Sequence, residues 1–197
     1  MAGQSLYALI AGVGPGTGRA IALRFAKAYP VVLLARNAES YQSTVEDVTK
    51  AGGRAIGIEV DVGDASSIGN AFNGIEKALP GSQLAAAVYN LNSGFLVKPF
   101  LDMKPEEFRS RVGGVAFALR AVSQSLAREF GPQGVHVAHA MIDGLIDTPV
   151  TRAWGNSSEP DSMIQPDAVA ETYWHLHTQP RSAFTHEIDI RPFSKKF

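Results

Sequence analysis

Apolar and polar positions fall in blocks along the first ninety residues, and the blocks switch period. Leu6–Ala11 is a short, nearly unbroken apolar run, and Val31–Ala35 is another. Runs of this length, bounded by Gly, Pro or charge, predict strands covered on both faces. Arg54 to Val60 and Leu84 to Val88 predict a third and a fourth strand. Between them the period becomes helical. A helix from about Thr17 to Tyr29 places Ile21 and Phe25 on one face, with Arg24 and Lys27 elsewhere, and Pro30 stops it. A second helix over Ala38 to Ala51 presents Tyr41, Val45 and Val48, and Gly52-Gly53 ends it. Asp64 can cap a third, whose buried face reads Ile68, Phe72, Ile75 and Leu79. Strands alternating with helices through short connections predict an α/β fold: a Rossmann-like, doubly wound parallel sheet with helices on both faces.

The second half is less regular. Pro105-Glu106-Glu107 is a good helix start, and Gly113-Gly114 interrupts the pattern. Val115 to Phe130 then predicts a helix with an apolar stripe of Leu119, Val122, Leu126 and Phe130. Val135 to Ile142 reads as a strand, and Ile142 to Pro149 as the loop at its carboxyl end. Residues 155–165 are rich in Ser, Pro and Asn, which suits a mobile flap over a site. Pro166-Asp167 opens a last helix to about His177, and Ile188 to Arg191 is a final short strand. The expected organisation is one nucleotide-binding domain over residues 1–197.

Composition narrows the choice of partners. The chain has 197 residues and a net charge of −1, which gives no reason to expect nucleic acid or an anionic membrane. It has no cysteine, hence no disulfide framework and no thiolate nucleophile. The first residues lack a basic region, and no apolar stretch is long enough for a bilayer, so a cytoplasmic setting is expected. No metal site is expected. His136 and His139 fall on opposite faces of a strand, and His175 and His177 diverge on a helix. The serines show no His–Asp partner pattern. Asp143 and Asp147 read as turn chemistry before Pro149, and Trp154 and Trp174 as packing residues.

The candidate chemistry sits directly after the first strand. Gly12, Gly14, Gly16 and Gly18 follow the apolar run, and a helix opens at Thr17. Glycines let the backbone approach a pyrophosphate closely. The free N–H groups and the positive end of the helix dipole then hold the anion. Arg36 and Asn37 stand at the tip of the second strand, where a dinucleotide's adenine ribose lies. Arg36 comes eighteen positions after Gly18, and no carboxylate precedes Glu39. A carboxylate there would accept from a ribose 2′-OH, whereas a guanidinium suits a 2′-phosphate, so NADP(H) is expected over NAD(H). Asp61 ends the third strand, and Tyr89-Asn90 ends the fourth.

These motifs resemble those of the short-chain dehydrogenase/reductase family. Ala11-Gly12-x-x-x-Gly16-x-Gly18 is similar to its cofactor turn, and Asp61-Val62 to the pair whose aspartate contacts the adenine. Tyr89-Asn90-Leu91-Asn92 takes the place of the family's Asn-Asn-Ala-Gly, with Asn90 alone matching. Ser125 to Pro132 with Gly134 to Val137 resembles the helix and strand that follow the active site. Asp143-Gly144 through Thr148 resembles the Pro-Gly…Thr loop, so Thr148 would touch the cofactor's pyrophosphate or carboxamide. The resemblance implies hydride transfer between NADP(H) and a small alcohol/ketone substrate, in an enzyme that is commonly a homo-oligomer.

One piece of that pattern is absent. The family's proton donor is the tyrosine of Tyr-x-x-x-Lys, whose pKa the lysine lowers. Here no tyrosine lies between Tyr89 and Tyr173, and no lysine between Lys104 and Lys195. The catalytic residues are therefore unknown. Between Phe108 and Val115 there is no room for a central strand and the rest of a helix, so the sheet is expected to lack one strand relative to the family. Residues omitted from the sequence as written, a truly shortened product and an evolved non-catalytic member all give this pattern. Evolved loss usually substitutes residues and keeps the fold, which favours omission or shortening. The alternative function is a non-catalytic dinucleotide-binding protein acting as sensor or partner-binding module.

Overall fold

The computed structural model describes residues 5–91, 102, 104, 115–154 and 160–194. The chain divides into two compact units. One comprises Met1–Leu91, Gly144–His175 and Pro192–Phe197, and the other Asn92–Asp143 and Leu176–Arg191.

In the first unit, β1 (Leu6–Ala11), α1 (Thr17–Phe25), β2 (Val31–Ala35), α2 (Gln42–Lys50), β3 (Ala55–Glu59), α3 (Ala65–Ala78) and β4 (Gln83–Tyr89) follow one another. The strands form one parallel sheet in the order β3-β2-β1-β4. Side-chain alternation divides its core into two layers. Ala8, Ile10, Val31 and Leu33 face Ala20, Ile21 and Phe25 of α1 and Val48 of α2. Tyr7, Leu9, Val32 and Leu34 face Ala71 and Ile75 of α3. Helices therefore cover both faces, which is why β1 and β2 read as apolar runs rather than as alternating strands. Burial of side chains such as Ile21 and Phe25 contributes about 1.5–3 kcal/mol each.

Several expected boundaries move. Helix α1 ends at Phe25, and the N–H groups of Ala28 and Tyr29 close turns on its carbonyl. The expected second helix is interrupted. Asn37 caps a 3-10 turn over Ala38–Ser40, and α2 begins only at Gln42. Phe72 was expected in the core but is 50% exposed, whereas Ala71 beside it is buried. The small residue lies on the inner face of α3, so the turn that carries it sits close to the sheet.

The first unit continues with a short helix, α5 (Pro149–Arg152), and with α6, which begins at Pro166 and runs to His177. Trp174 of α6 packs edge-on against Phe25, and the Arg24 guanidinium lies 4.3 Å over its indole, so Trp174 is a packing residue. Residues 155–159 of the flap expected at 155–165 lie outside the described residues. Met163 and Ile164 are buried, and Ile146 bridges to Ile164.

In the second unit, α4 (Val115–Phe130) leads to β5 (His139–Ile142), which pairs in parallel with β6 (Glu187–Ile190). Glu187 accepts from Arg120 Nε at 2.7 Å and from Gln124 Nε2 at 3.0 Å, and these donors hold its carboxyl below the usual range. The expected strand from Val135 is shorter. His136 precedes it, with its ring nitrogens 3.1 Å from Leu176 O and 2.8 Å from Thr185 O and its ring stacked on Phe184. A ring tied in this way belongs to a loop brace rather than to a strand face. Between β4 and β5 the described residues hold one α-helix, and the stretch on which the expected loss of a strand rests lies outside the described residues. The expected helix start at Pro105 and the Gly113-Gly114 break lie outside the described residues. No helix among the described residues is long and apolar enough to cross a membrane.

Candidate functional site

Parallel register brings the expected site residues to one edge of the first unit's sheet. Ala11 stands opposite Leu34 on one side and Tyr89 on the other, and Ala35 stands opposite Glu59. Gly12, Arg36, Asp61 and Asn90 thus emerge from the carboxyl ends of neighbouring strands. This is where open α/β sheets place ligands.

The turn after β1 is tightly built. Gly12 has φ +91°, a left-handed conformation that L side chains rarely adopt, and an added Cβ would stand 2.4 Å from Asn90 O. A Cβ on Gly18 would stand 2.6 Å from Gly12 O, so the first turn of α1 lies directly on the loop. The Asn90 N–H donates to Ala11 O at 2.8 Å, and its side-chain amide to Gly12 O at 3.2 Å. Asn90 therefore braces the turn rather than leaving its amide free. Gly14 has open space around it: no atom lies within 4 Å of a Cβ placed there.

Electrostatics at the start of α1 favour an anion. Gly16 is the N-cap residue and supplies no side-chain cap, and the first turn holds no acidic residue. Among the described residues, the N–H groups of Gly14, Gly16, Thr17 and Gly18 have no hydrogen-bond acceptor. Four unsatisfied donors around a glycine-lined concavity match a diphosphate, so the residues present fit a dinucleotide's pyrophosphate. Arg19, one residue further, is tied to Asp47 at 2.8 Å.

Around this turn the other residues fall into two groups. Arg36 is exposed and has no ion-pair or hydrogen-bond partner among the described residues. Asp61 is also exposed, with one carboxylate oxygen accepting from the Gly63 N–H at 2.9 Å. Its backbone N–H donates to Ser67 Oγ at 3.0 Å. Asn37 and Val62 are more committed. Asn37 Oδ1 accepts from the Ser40 N–H, and Val62 packs on the sheet's α3 face.

Thr148 lies over the glycine turn, where a Cβ on Gly16 would stand 2.8 Å from its Cγ2 methyl. It caps α5 and exchanges hydrogen bonds with Thr151 in both directions. The loop is anchored by Asp147, which accepts from both nitrogens of the Arg152 fork and from Gln165. These donors, Arg152 foremost, lower the Asp147 pKa to about 2. Sequence reasoning did not single out Thr151 or Ser67. The spacing Thr148-Pro149-x-Thr151, a cap with proline at the first helical position, is the signal that could have found Thr151.

The short chain dehydrogenase family model matches residues 6–112, more than half of the chain. The chain belongs to the short chain dehydrogenase family. An uncharacterized oxidoreductase of Staphylococcus aureus is 31% identical over 75 residues, which cover 38% of this chain and 31% of that protein. One from Staphylococcus epidermidis is 28% identical over 89 residues, 45% and 37% of the two chains. The chain thus spans about a third of the length of the curated relatives it matches. Among solved structures, a short-chain dehydrogenase from Rhodopseudomonas palustris shares 26% identity at a TM-score of 0.70, over 95% of this chain and 99% of that one. A metagenomic short-chain oxidoreductase solved in complex with NADP shares 20% identity at a TM-score of 0.69, over 96% and 98%. The latter likeness is one of fold. Short chain dehydrogenases are oxidoreductases that bind NAD(P) and act on small molecules.

Proposed function

We propose that this short chain dehydrogenase binds NADP(H) and serves hydride transfer between that cofactor and an alcohol/ketone pair. Gly12, Gly14, Gly16, Thr17 and Gly18 would hold the pyrophosphate through backbone N–H groups. Asp61 and Val62 would receive the adenine, and Asn90 would keep the turn in shape. Arg36 and Asn37 would meet the ribose and Thr148 the far half. When bound, the nicotinamide supplies the hydride. The chain's own part is to bind, orient and exclude water. The family's Tyr-x-x-x-Lys proton donor is not among its residues, so no catalytic residue is assigned here.

The observation that carries the NADP(H) reading is the unpartnered guanidinium of Arg36 at the carboxyl tip of β2, beside the cradle and ahead of any carboxylate. A free guanidinium there suits a 2′-phosphate, with which it forms charge-assisted hydrogen bonds. Binding titrations of Arg36→Asp against wild type are the test. The substitution should weaken NADPH at least tenfold and NADH by less than threefold, since one charge-assisted contact is worth about 1.5–3 kcal/mol. Equal losses for the two nucleotides would remove the reading. An intact mass equal to that of these 197 residues would assign to this polypeptide the binding role alone.

A further inference from the structure

Thr151 is buried, and its hydroxyl lies at the centre of a small network in the loop over the glycine turn. Thr151 Oγ1 lies close to Ile146 O, 3.1 Å from Thr148 O, 2.9 Å from the Thr148 backbone N and 2.9 Å from Thr148 Oγ1. A hydroxyl has one proton and two acceptor positions. The two carbonyls can only accept, so the Thr151 proton goes to one of them, and Ile146 O is the nearer. The backbone N–H of Thr148 can only donate, and it takes one acceptor position on Thr151. The remaining contact, between the two hydroxyls, therefore has Thr148 as its donor.

Thr148 is left with a defined polarity. Its proton is directed at Thr151, and one of its acceptor positions takes the Thr151 N–H at 3.2 Å. A single acceptor position remains. The same side chain places its methyl over Gly16 of the cradle. The loop is held on its far side by the Leu145 and Asp147 bonds to the Ile164 backbone.

We infer that Thr151 is a positioning residue for the cofactor site: it directs the Thr148 proton inward, so that Thr148 meets a bound dinucleotide as a hydrogen-bond acceptor. This rests on the NADP(H) reading above. A phosphate oxygen offers no proton and is mismatched to such a group. An N–H or O–H of the ligand is matched. A ribose hydroxyl can equally accept, whereas the carboxamide NH2 on the nicotinamide half can only donate, and it is the group assigned to Thr148. Thr151 therefore acts on the nicotinamide half and leaves the adenine half alone.

The experiment is calorimetric titration of wild type, Thr151→Val and Thr151→Ser with NADPH and with 2′,5′-ADP, which lacks the nicotinamide half. Thr151→Val should bind NADPH about tenfold more weakly, the scale of one hydrogen bond, and 2′,5′-ADP within twofold of wild type. Thr151→Ser, which keeps the hydroxyl, should match wild type with both probes. Adding Thr148→Val to Thr151→Val should cost NADPH no further affinity. A second arm needs only wild type. The 3-acetylpyridine analogue of NADP, with methyl in place of the carboxamide amine, should bind about tenfold more weakly than NADP. Equal affinity for the analogue, unchanged NADPH binding by Thr151→Val, or parallel loss of NADPH and 2′,5′-ADP would each overturn the inference. Wild type that binds neither NADPH nor 2′,5′-ADP would instead sink the NADP(H) reading, and this inference with it.

Discussion

The β1–α1–β2 segment and the α4–β5–β6 segment both carry apolar patterns, but the fold uses them differently. All five residues of β2 and five of the six in β1 are buried, with α1 and α2 on one face and α3 on the other. In α4, by contrast, Val122 is 52% exposed and Leu126 38%, and Met141 of β5 is 50% exposed. The difference shows what periodicity reports. It marks the face that needs cover, and only the arrangement of the remaining chain decides whether cover is supplied. In the first unit the β1 and β2 runs have helices on both faces. In the second, the described residues supply one helix for a two-stranded sheet.

The sharpest way to break this comparison is to truncate one residue from each region. Phe25→Ala should cost about 4 kcal/mol by urea denaturation, because the ring is enclosed by two strands, α2 and Trp174. Leu126→Ala should fall within about 0.5 kcal/mol of wild type. Similar losses at both positions would mean that the stripe of α4 is covered in solution.

A smaller effect is expected at the turn. Gly12→Ala combines an unfavourable φ with a 2.4 Å approach to Asn90 O, and should cost about 3 kcal/mol together with nucleotide binding. A stable Gly12→Ala protein with wild-type NADPH affinity would show that the turn relaxes freely.

The smallest effect is electrostatic and local. Asp147 titrates at about 2, below its ordinary 3.8, so the native loop favours the carboxylate. Its contribution is complete above about pH 4 and fades as pH falls towards 2, the direction for a carboxyl whose folded pKa is lowered. Amide resonances of Ile146 to Thr151 should hold steady from neutral pH to about 5 and shift only in that acid window. Arg152→Ala should return the Asp147 midpoint to near its ordinary value, and an unchanged midpoint would exclude Arg152 as the cause.

Much of the first unit was legible in the sequence because its signals are local. The β1 run, the glycines after it and the helix opening at Thr17 each depend on neighbours within a few residues, and all stand where the pattern placed them. The eleven expected site residues lie in this unit, nine of them at strand ends or in the loops that follow and two, Thr17 and Gly18, in the first turn of α1. Less local features were harder to read. Asn37 suits two roles, ribose contact and turn cap, and only the coordinates show its amide on Ser40. Phe72 satisfied helical spacing, but the small Ala71 took the inner position, a choice set by how near α3 sits to the sheet. Thr151 gave no apolar or charged signal. Its role depends on the loop folding back so that its hydroxyl meets Ile146 O.

The central claim is that the backbone N–H groups before α1, with Arg36 beside them, bind a phosphorylated pyridine dinucleotide. Calorimetric titration of the folded wild-type chain with NADPH and NADH tests it most directly. The expected result is saturable one-site binding of NADPH, at least tenfold tighter than NADH. At 100 times its dissociation constant, NADPH should stabilise the fold by about 2.7 kcal/mol, a rise of roughly 5–11 °C in melting temperature. Folded protein that gives no heat and no stabilisation with either nucleotide would contradict the claim.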